Sequence, residues 1–246
     1  MPTIRSWVQF PSPAPNLYIL SNFLQKLSKK LVRNNFLKFT LLKNFLKILK
    51  VPKKCLFLGY NKETTTLIDS IQEFGGRGWT VNHSDTVLSN EFIKKYDAIV
   101  SFGYRHIIKQ ELLDSIKVPI INLHIAYLPY NKGAHPNFWS FVENTPAGIT
   151  IHEVDKGIDT GRIILNKMID FNIIKNKNLS FSQTYKILIN EIESLFKENI
   201  KQLLNKDYEG HPQIGKGSYH NSKDLPSVLK SWNQKIYNTI LEYNNI

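Results

Sequence analysis

Apolar and polar positions between residues 54 and 124 follow strand and helix periods in turn. The predicted strands are 54–59, 79–83, 97–102 and 118–124. The predicted helices between them are 67–74, 91–95 and 107–116. The last of these strands is almost continuously apolar, which is typical of a strand buried on both faces. This alternating order predicts an α/β fold, a Rossmann-like and mostly parallel sheet with helices on both faces.

The pattern changes in the second half of the chain. Residues 148–154 and 162–167 alternate as a strand pair on either side of a glycine-rich loop. Residues 181–204 carry an apolar stripe at helical spacing and predict one long amphipathic helix. After it, residues 207–225 are rich in Gly, His, Ser and Asn and indicate loops or a small hairpin, followed by a helix over 226–243. The chain is therefore expected to end in a short helical or hairpin extension.

The first fifty residues form a separate arm in this interpretation. Residues 1–16 contain four prolines and no period, and residues 20–33 show apolar positions at helical spacing with Lys and Arg between them. Such a cationic amphipathic helix suits an anionic membrane surface, but a helix packed on the domain or an arm without a role also fits. A further hypothesis is that the start lies too far upstream, because residues 8–11 can be encoded by a sequence resembling a tRNA-gene T-arm. The sequence leaves these alternatives open.

Length and pattern together give three segments. At 246 residues the chain can bury one substantial core. We expect a basic arm at 1–50, a catalytic domain at 51–206 and a C-terminal extension at 207–246.

Charge and cysteine content limit the kinds of partner that the chain is expected to bind and the cellular compartment in which it is expected. The net charge is +12, but residues 1–50 hold nine Lys or Arg and no acid, whereas the other residues hold 23 Lys or Arg against 20 acids. The body is thus nearly balanced, and no nucleic-acid partner is expected. Cys55 is the only cysteine, which excludes an internal disulfide and a thiolate zinc cluster. With no run of 18 apolar residues and no signal-peptide pattern, we expect a cytoplasmic protein without a membrane span.

Polar residues end the strand 118–124. Because side chains alternate along a strand, Asn122 and His124 are expected on the same face. Two polar groups at the end of a buried strand are costly unless they are partnered or functional. Loops at 128–133 and 155–161 follow, and ligands of such sheets bind beyond the carboxyl ends of the strands. We therefore expect the functional site here.

Three motifs in this region carry a resemblance to a known family. Asn122-x-His124, the loop Leu128-Pro129-x-x-x-Gly133 and Asp159-Thr160-Gly161 occur in this order. The chain resembles, over residues 54–205, the formyltransferases that use 10-formyltetrahydrofolate. The resemblance implies the formyltransferase fold and this folate as co-substrate. No His-x-x-x-His or carboxylate–His cluster at helical spacing appears, so no metal is expected.

The resemblance and the chemistry of formyl transfer together assign the catalytic roles. Asn122 is expected to donate a hydrogen bond to the oxyanion, and His124 to donate as well and act as general acid. Asp159 is expected to hold His124 charged and to order a water for proton relay. By resemblance, the folate is held by segments 103–108 and 154–159. The residues expected to bind it are Tyr104, Arg105, His106, Ile107, Ile108, Val154, Asp155 and Gly157.

The acceptor is predicted from a narrower likeness. Residues 122–140 and the segment Gly217–Leu225 are similar to small N-formyltransferases of bacterial surface-polysaccharide pathways, such as O-antigen or lipopolysaccharide synthesis. This likeness implies a nucleotide-linked amino sugar as acceptor, such as a dTDP-4-amino-4,6-dideoxyhexose. The residues expected to contact it are Tyr130, Lys132, Phe138, Trp139 and Tyr219.

Several alternatives stay open at this point. Glycinamide ribonucleotide formyltransferase is the runner-up, although Ile125 stands where those enzymes usually carry a proline. A formyltetrahydrofolate hydrolase and a non-catalytic binding module are the others. His106, His135, His152 and His220 are each interpreted as structural when considered alone. The sugar, the base and the oligomeric state, with a homodimer as one option, are not given by the sequence.

Overall fold

The main sheet has six strands, four of them parallel. The computed structural model describes residues 52–75, 78–173 and 175–245, so the predictions for residues 1–50 lie outside the described residues. The main-sheet strands are β1 (Lys53–Gly59), β2 (Trp79–Ser84), β3 (Ala98–Phe102), β4 (Ile120–His124), β6 (Gly148–Glu153) and β7 (Ile163–Met168). Their order is β2-β1-β3-β4-β6-β7, with β1 to β4 parallel. β6 runs antiparallel to both β4 and β7. The predicted mostly parallel sheet is confirmed.

Helices connect the strands and cover both faces. They are α1 (Leu67–Gly75), α2 (Asn90–Ile93), α3 (Gln110–Ser115), α4 (Pro136–Val142), α5 (Phe181–Glu198), α6 (Ile200–Asn205) and α7 (Ile236–Tyr243). A short 3-10 helix spans Ser222–Asp224. None of the helices in these three described ranges is long and apolar enough to span a bilayer.

Strand alternation divides the core into two layers. Cys55 and Phe57 of β1 belong to the larger cluster, which includes the apolar faces of α1 and α5. Leu56 and Leu58 of the same strand belong to the smaller cluster on the other face, with α2 and α3. Both sets are fully buried, as a sheet covered on both sides requires. The predicted helices on both faces are thus confirmed.

The long helix predicted over 181–204 is wrong in one respect, because it is divided at Asn199. This residue has φ −111° and ψ 10°, outside helical values, and ends α5. Its side-chain amide donates to the carbonyl of Leu195 (2.8 Å) and its side-chain oxygen accepts from Gln202 (2.7 Å). Asn side chains compete in this way with the backbone hydrogen bonds of a helix.

The predicted last helix is also too long. The helix begins only at Ile236, and residues 226–235 are irregular with two short turns, at 227–228 and 232–233. The Gln234 side chain accepts from the backbone of Lys230 (3.1 Å) and donates to the carbonyl of Val228 (3.0 Å), so local side-chain bonds replace helical ones. The predicted helix 107–116 is also too long, because only α3 (Gln110–Ser115) is helical in this range.

The C-terminal extension returns to the loop after β4. β5 (Lys132–Gly133) and β8 (Tyr219–His220) pair in parallel and form a second, two-stranded sheet. The segment predicted as loops or a hairpin therefore contributes a strand to a distant partner. This pairing places Tyr219 and His220 beside the loop that follows β4.

Candidate active site

β4 presents its two polar side chains at the carboxyl edge of the sheet. His124 is buried and Asn122 half-buried. Asp159 reaches both residues from the loop between β6 and β7. Its Oδ1 lies 3.3 Å from Nδ2 of Asn122, and its Oδ2 lies 3.7 Å from Nδ1 of His124. The structure thus brings together the three residues predicted to be catalytic.

The Asp159 carboxylate is held from several sides. The backbone N–H of Gly133 donates to Oδ2 at 2.9 Å. The backbone of Asp159 is left-handed, with φ 53°, a conformation that Asp tolerates better than most residues. Gln213 stabilises this turn by donating to the carbonyl oxygens of Asp159 (2.8 Å) and Gly161 (2.9 Å). The orientation of the carboxylate is therefore fixed by the turn at Asp159, by Gly133 of β5 and by Gln213 of the C-terminal extension.

His152 belongs to the same cluster, although the sequence interpreted it as structural. It lies directly across from Asn122 in the β4–β6 pair and is 1% exposed. Its Nε2 lies 3.1 Å from Nδ2 of Asn122 and 3.4 Å from Oδ1 of Asp159. A register shift in the β6–β7 pair falls between Ile151 and His152, a type of irregularity that often re-aims a side chain beside a site. The signal that could have identified it is the pairing of β4 with β6.

The hydrogen-bond partners assign the protons of both rings. A carbonyl oxygen only accepts, so the nitrogens facing carbonyls carry the protons: Nε2 of His124 toward Asn131 (3.1 Å) and Nδ1 of His152 toward Glu153 (2.7 Å). When the His124 ring is neutral, its Nδ1 has its lone pair toward Asp159. Nε2 of His152 lies within hydrogen-bonding distance of the Asn122 amide, which can donate to it. Both amide hydrogens of Asn122 are thereby engaged, one by His152 and one by Asp159.

Burial and charge move the pKa values of this cluster. Burial alone would raise the pKa of Asp159, but the two histidines and the Gly133 N–H outweigh it and hold this pKa well below its usual range. Burial also lowers the pKa of His124, more strongly than Asp159 raises it. The expectation that Asp159 holds His124 charged stays a prediction, because burial of the ring and the nearby carboxylate act on its pKa in opposite directions. The carboxylate also accepts hydrogen bonds from the backbone N–H of Gly133 and from the amide of Asn122.

The loop that positions His124 depends on the C-terminal extension. Asn131 is fully buried and left-handed (φ 57°), and its carbonyl accepts from His124. Its backbone N–H donates to Oγ of Ser218 (2.9 Å), and its side-chain amide donates to Thr145 (2.8 Å). Sequence reasoning missed Asn131 and Ser218, because nothing in the pattern links positions this far apart.

The two segments predicted to hold the folate contact one core cluster. Tyr104, Ile108 and Val154 pack against the same core cluster. Tyr104, Ile107 and Ile108 also line a cleft of about 190 Å³ with Val87 and Leu88. Ile107 is 80% exposed and Val87 71%, so this cleft presents apolar surface to solvent.

The other predicted folate residues lie in the same two segments. Arg105 is exposed, and His106 contacts the carbonyl of Asp85 (2.9 Å). The Asp155 carboxylate accepts from the backbone of Gly157 (3.0 Å) and from Thr160 (2.5 Å), which shapes the loop before Asp159.

The residues predicted to contact the acceptor divide into two groups. Tyr130 and Lys132 are half-buried, and Tyr219 is 46% exposed. The prediction for Phe138 is corrected, because Phe138 is fully buried and packs against Phe181 in the core.

The Trp139 ring is also enclosed. It is 5% exposed and stacks on the ring of His220, with centroids 4.0 Å apart and planes at 8°. The His220 ring in turn lies 3.2 Å from a carboxylate oxygen of Glu143. Trp139 could stack directly on a ligand only if the His220 ring moved away from it.

Over the described part of the chain, no three or more His, Cys, Asp or Glu side chains are grouped so that they could hold a metal ion.

Comparison with known proteins gives the family. Residues 76–186 match the model of the family described as formyl transferase. The dTDP-4-amino-4,6-dideoxyglucose formyltransferase of Mycobacterium bovis is 32% identical over 77 residues, which are 31% of this chain and 32% of that protein. The GDP-perosamine N-formyltransferase of Brucella melitensis is 28% identical over 131 residues, 53% of this chain and 48% of that protein. The chain thus spans about a third to a half of the length of these curated relatives.

A solved structure extends the likeness over a whole relative. The formyltransferase PseJ of Anoxybacillus kamchatkensis was solved in complex with UDP-4,6-dideoxy-4-formamido-L-AltNAc and tetrahydrofolate. It is 35% identical to this chain, and the superposition covers 76% of this chain and 97% of PseJ with a TM-score of 0.67. On this identity over nearly all of PseJ, the chain belongs to the formyl transferase family.

Proposed function

We propose that the chain transfers a formyl group from 10-formyltetrahydrofolate to the amino group of a nucleotide-linked amino sugar. The observation that carries this proposal is the contact of one ionised carboxylate, Asp159, with both Asn122 and His124 at the carboxyl edge of β4. Family membership supports formyl transfer, and the names of the relatives support a sugar nucleotide as acceptor.

The reaction begins with proton removal from the attacking amine. The acceptor nitrogen forms a bond to the formyl carbon and must lose one proton. His124 suits this step, because its neutral Nδ1 carries a lone pair and its lowered pKa favours the unprotonated ring. Asp159, 3.7 Å away, then stabilises the ring in its charged form. In this mechanism His124 acts first as a base and afterwards as the acid predicted from the sequence.

Negative charge develops on the formyl oxygen during attack. The Asn122 amide is the donor predicted for this oxyanion, a contribution of a few kcal/mol for one well-placed donor. In the resting structure both of its hydrogens are used by His152 and Asp159. Donation to the oxyanion therefore requires exchange of one of these bonds, and protonated His124 becomes a second donor only when its Nδ1–H turns from Asp159 to the oxyanion.

The reaction ends when the bond from the formyl carbon to the folate nitrogen breaks. That nitrogen gains the proton that His124 took from the amine, so no proton is lost from the site. Asp159 keeps its charge throughout, because its pKa lies well below the working pH. The products are the formamido sugar nucleotide and tetrahydrofolate.

One feature of the described residues supports a folate site. The apolar cleft beside Ile107, Ile108 and Tyr104 offers exposed apolar surface for a flat heterocycle. Val154, the first residue of the other predicted folate segment, packs against the same core cluster as Tyr104 and Ile108, and this segment ends at Asp159.

The sugar nucleotides named for the relatives indicate the class of acceptor. PseJ was solved with a UDP-linked 4-formamido-4,6-dideoxy sugar, and the Mycobacterium bovis relative is named for a dTDP-linked 4-amino-4,6-dideoxy sugar. We therefore propose a nucleotide-linked 4-amino-4,6-dideoxyhexose, and the UDP-linked form is the first to test. Such sugars are precursors of surface polysaccharides, so we propose that the reaction serves such a pathway and takes place in the cytoplasm.

The test is a transfer assay with purified protein. 10-Formyltetrahydrofolate is supplied with UDP- and dTDP-linked 4-amino-4,6-dideoxyhexoses and with glycinamide ribonucleotide, and mass spectrometry detects an acceptor that gains one formyl group. His124→Ala is the inactive control. Formate release without a modified acceptor would instead indicate the hydrolase, and formylation of glycinamide ribonucleotide alone would reject the sugar acceptor.

A further inference from the structure

A second charged feature lies at the opposite edge of the sheet. A cleft of about 340 Å³ is lined by residues at the amino ends of β1, β3 and β4. Its charged residues are Lys53, Lys94, Lys95, Asp97, Lys117 and Lys206. Five lysines and one aspartate leave an excess of four positive charges. Because β1, β3 and β4 are parallel, this cleft and the catalytic cluster lie at opposite ends of the strands.

These lysines have no carboxylate to neutralise them within the ranges that the structure covers. The ion pairs of described lysines are elsewhere: Lys62–Asp69, Lys167–Glu191 and Lys197–Glu193. The single acid of the cleft, Asp97, accepts a hydrogen bond from the backbone of Lys54 at 2.7 Å. Like charges that line one cleft repel one another, and an anion bound between them would reduce this repulsion.

The sequence outside the described ranges supplies no acidic side chain either. Residues 1–51 contain no Asp or Glu, and the remaining undescribed positions are Gly76, Arg77, Ile174 and Ile246. An anion that neutralises the cleft therefore comes from outside the chain. Residues 1–50 add nine more basic residues immediately before Lys53, so the positive charge of cleft and arm is continuous in sequence.

We propose that this lysine cleft docks the protein on an anionic phospholipid surface. Phosphate-bearing headgroups supply the missing negative charge, at about 1 kcal/mol per lysine near the surface. A lipid surface is favoured over a free polyphosphate because apolar and basic positions alternate at helical spacing over residues 20–33, the pattern of an interfacial segment. A small soluble anion would bind the basic positions without burying the apolar ones.

This docking leaves the catalytic edge free. Asn122, His124 and Asp159 lie at the carboxyl ends of the strands, away from a bilayer that contacts the amino ends. Soluble substrates would still reach the site, and the product would be released beside the membrane. The proposal does not depend on the identity of the acceptor.

The experiment is sedimentation of the full-length protein with vesicles of phosphatidylglycerol and phosphatidylcholine, and with phosphatidylcholine alone. The test variant combines Lys94→Gln, Lys95→Gln and Lys117→Gln. The matched control combines Lys175→Gln, Lys186→Gln and Lys230→Gln, three exposed lysines outside the cleft. We expect the test variant to lose at least about tenfold in affinity for anionic vesicles while the control keeps it, and 1 M salt to remove binding.

Three results would overturn the proposal. One is equal binding of both triple variants. Another is binding that vanishes in a Lys26→Gln, Lys29→Gln, Lys30→Gln variant but is unaffected in the cleft variant, because the arm alone would then be responsible. The third is cleft-dependent, stoichiometric binding of inorganic triphosphate without vesicle binding, which would assign the cleft to a soluble phosphate compound. Formyl transfer to soluble acceptors, measured in every variant, should stay unchanged, which separates this proposal from the function proposed above.

Discussion

Asn122 and His152 face each other across the antiparallel β4–β6 pair, with the amide nitrogen 3.1 Å from Nε2 of the ring. This bond orients the amide so that its second hydrogen points to Asp159. The strand pair itself thus sets the direction of the predicted oxyanion donor. His152 does not need to contact a substrate to influence the reaction.

Replacing His152 should therefore impair turnover more than binding. In His152→Ala the Asn122 amide loses an acceptor in a buried position, and we expect kcat to fall by about 10- to 100-fold with little change in KM. His152→Gln offers a carbonyl acceptor to Asn122 and should restore part of the loss. His83→Ala, at an exposed histidine on the edge strand, is the control and should have no effect. Equal losses in kcat for the Ala and Gln variants, or a loss in KM alone, would contradict this role.

The ionised Asp159 should stabilise the fold in a pH-dependent way. Its pKa is lower in the folded than in the unfolded chain, so its contribution is present above the unfolded value of about 4 and is lost as the pH falls below it. Asp159→Asn should lower the free energy of unfolding by about 1–3 kcal/mol at pH 7 and by less at pH 3. Urea denaturation at several pH values measures the difference. A difference that is constant over pH would show that the charge is not responsible.

The activity should depend on the protonation of His124. Burial lowers its pKa, so the basic, unprotonated form should persist below the ordinary value of about 6.5. The acid limb of log(kcat/KM) for formyl transfer should therefore have its midpoint below pH 6.5, and His124→Ala should lose at least about 100-fold in kcat. A midpoint clearly above 6.5 would instead support a ring held charged by Asp159.

Gly133 should tolerate no side chain. Its φ is 84°, and a Cβ would lie 2.3 Å from the carbonyl oxygen of His220. Gly215 has a similar φ of 97° but open space around the same position, so Gly215→Ala measures the cost of the left-handed backbone alone, about 1–2 kcal/mol. Gly133→Ala should cost at least about 1 kcal/mol more in thermal or urea unfolding. Equal costs would show that β5 and β8 can separate freely.

Local periodicity was enough to predict much of the fold and part of the site. Buried runs and helical spacing gave the parallel sheet, because each strand and helix must bury an apolar face. The alternation along β4 placed Asn122 and His124 on one face, which the structure bears out. The proximity of Asp159 came from the resemblance and not from any period in the sequence.

Features set by distant partners were not predictable in this way. His152 joins the cluster only because β6 pairs with β4 in one register, and Asn131 is positioned by Ser218 from the other end of the domain. Phe138 was predicted to contact the acceptor because it is aromatic. The packing of α4 against Phe181 makes it a core residue instead. The ends of α5 and α7 depend on side-chain bonds of Asn199 and Gln234, which compete locally with the helix.

The bond between Asn131 and Ser218 joins positions 87 residues apart. During synthesis the segment carrying Asn122, His124 and Asp159 leaves the ribosome well before Ser218 and His220 are made. Until then the carbonyl that orients His124 and the N–H that binds Asp159 lack the strand that fixes them. A nascent chain therefore has all its predicted catalytic residues before it has a working site, and competence begins only when the segment 218–220 has been translated and has folded back onto the loop after β4.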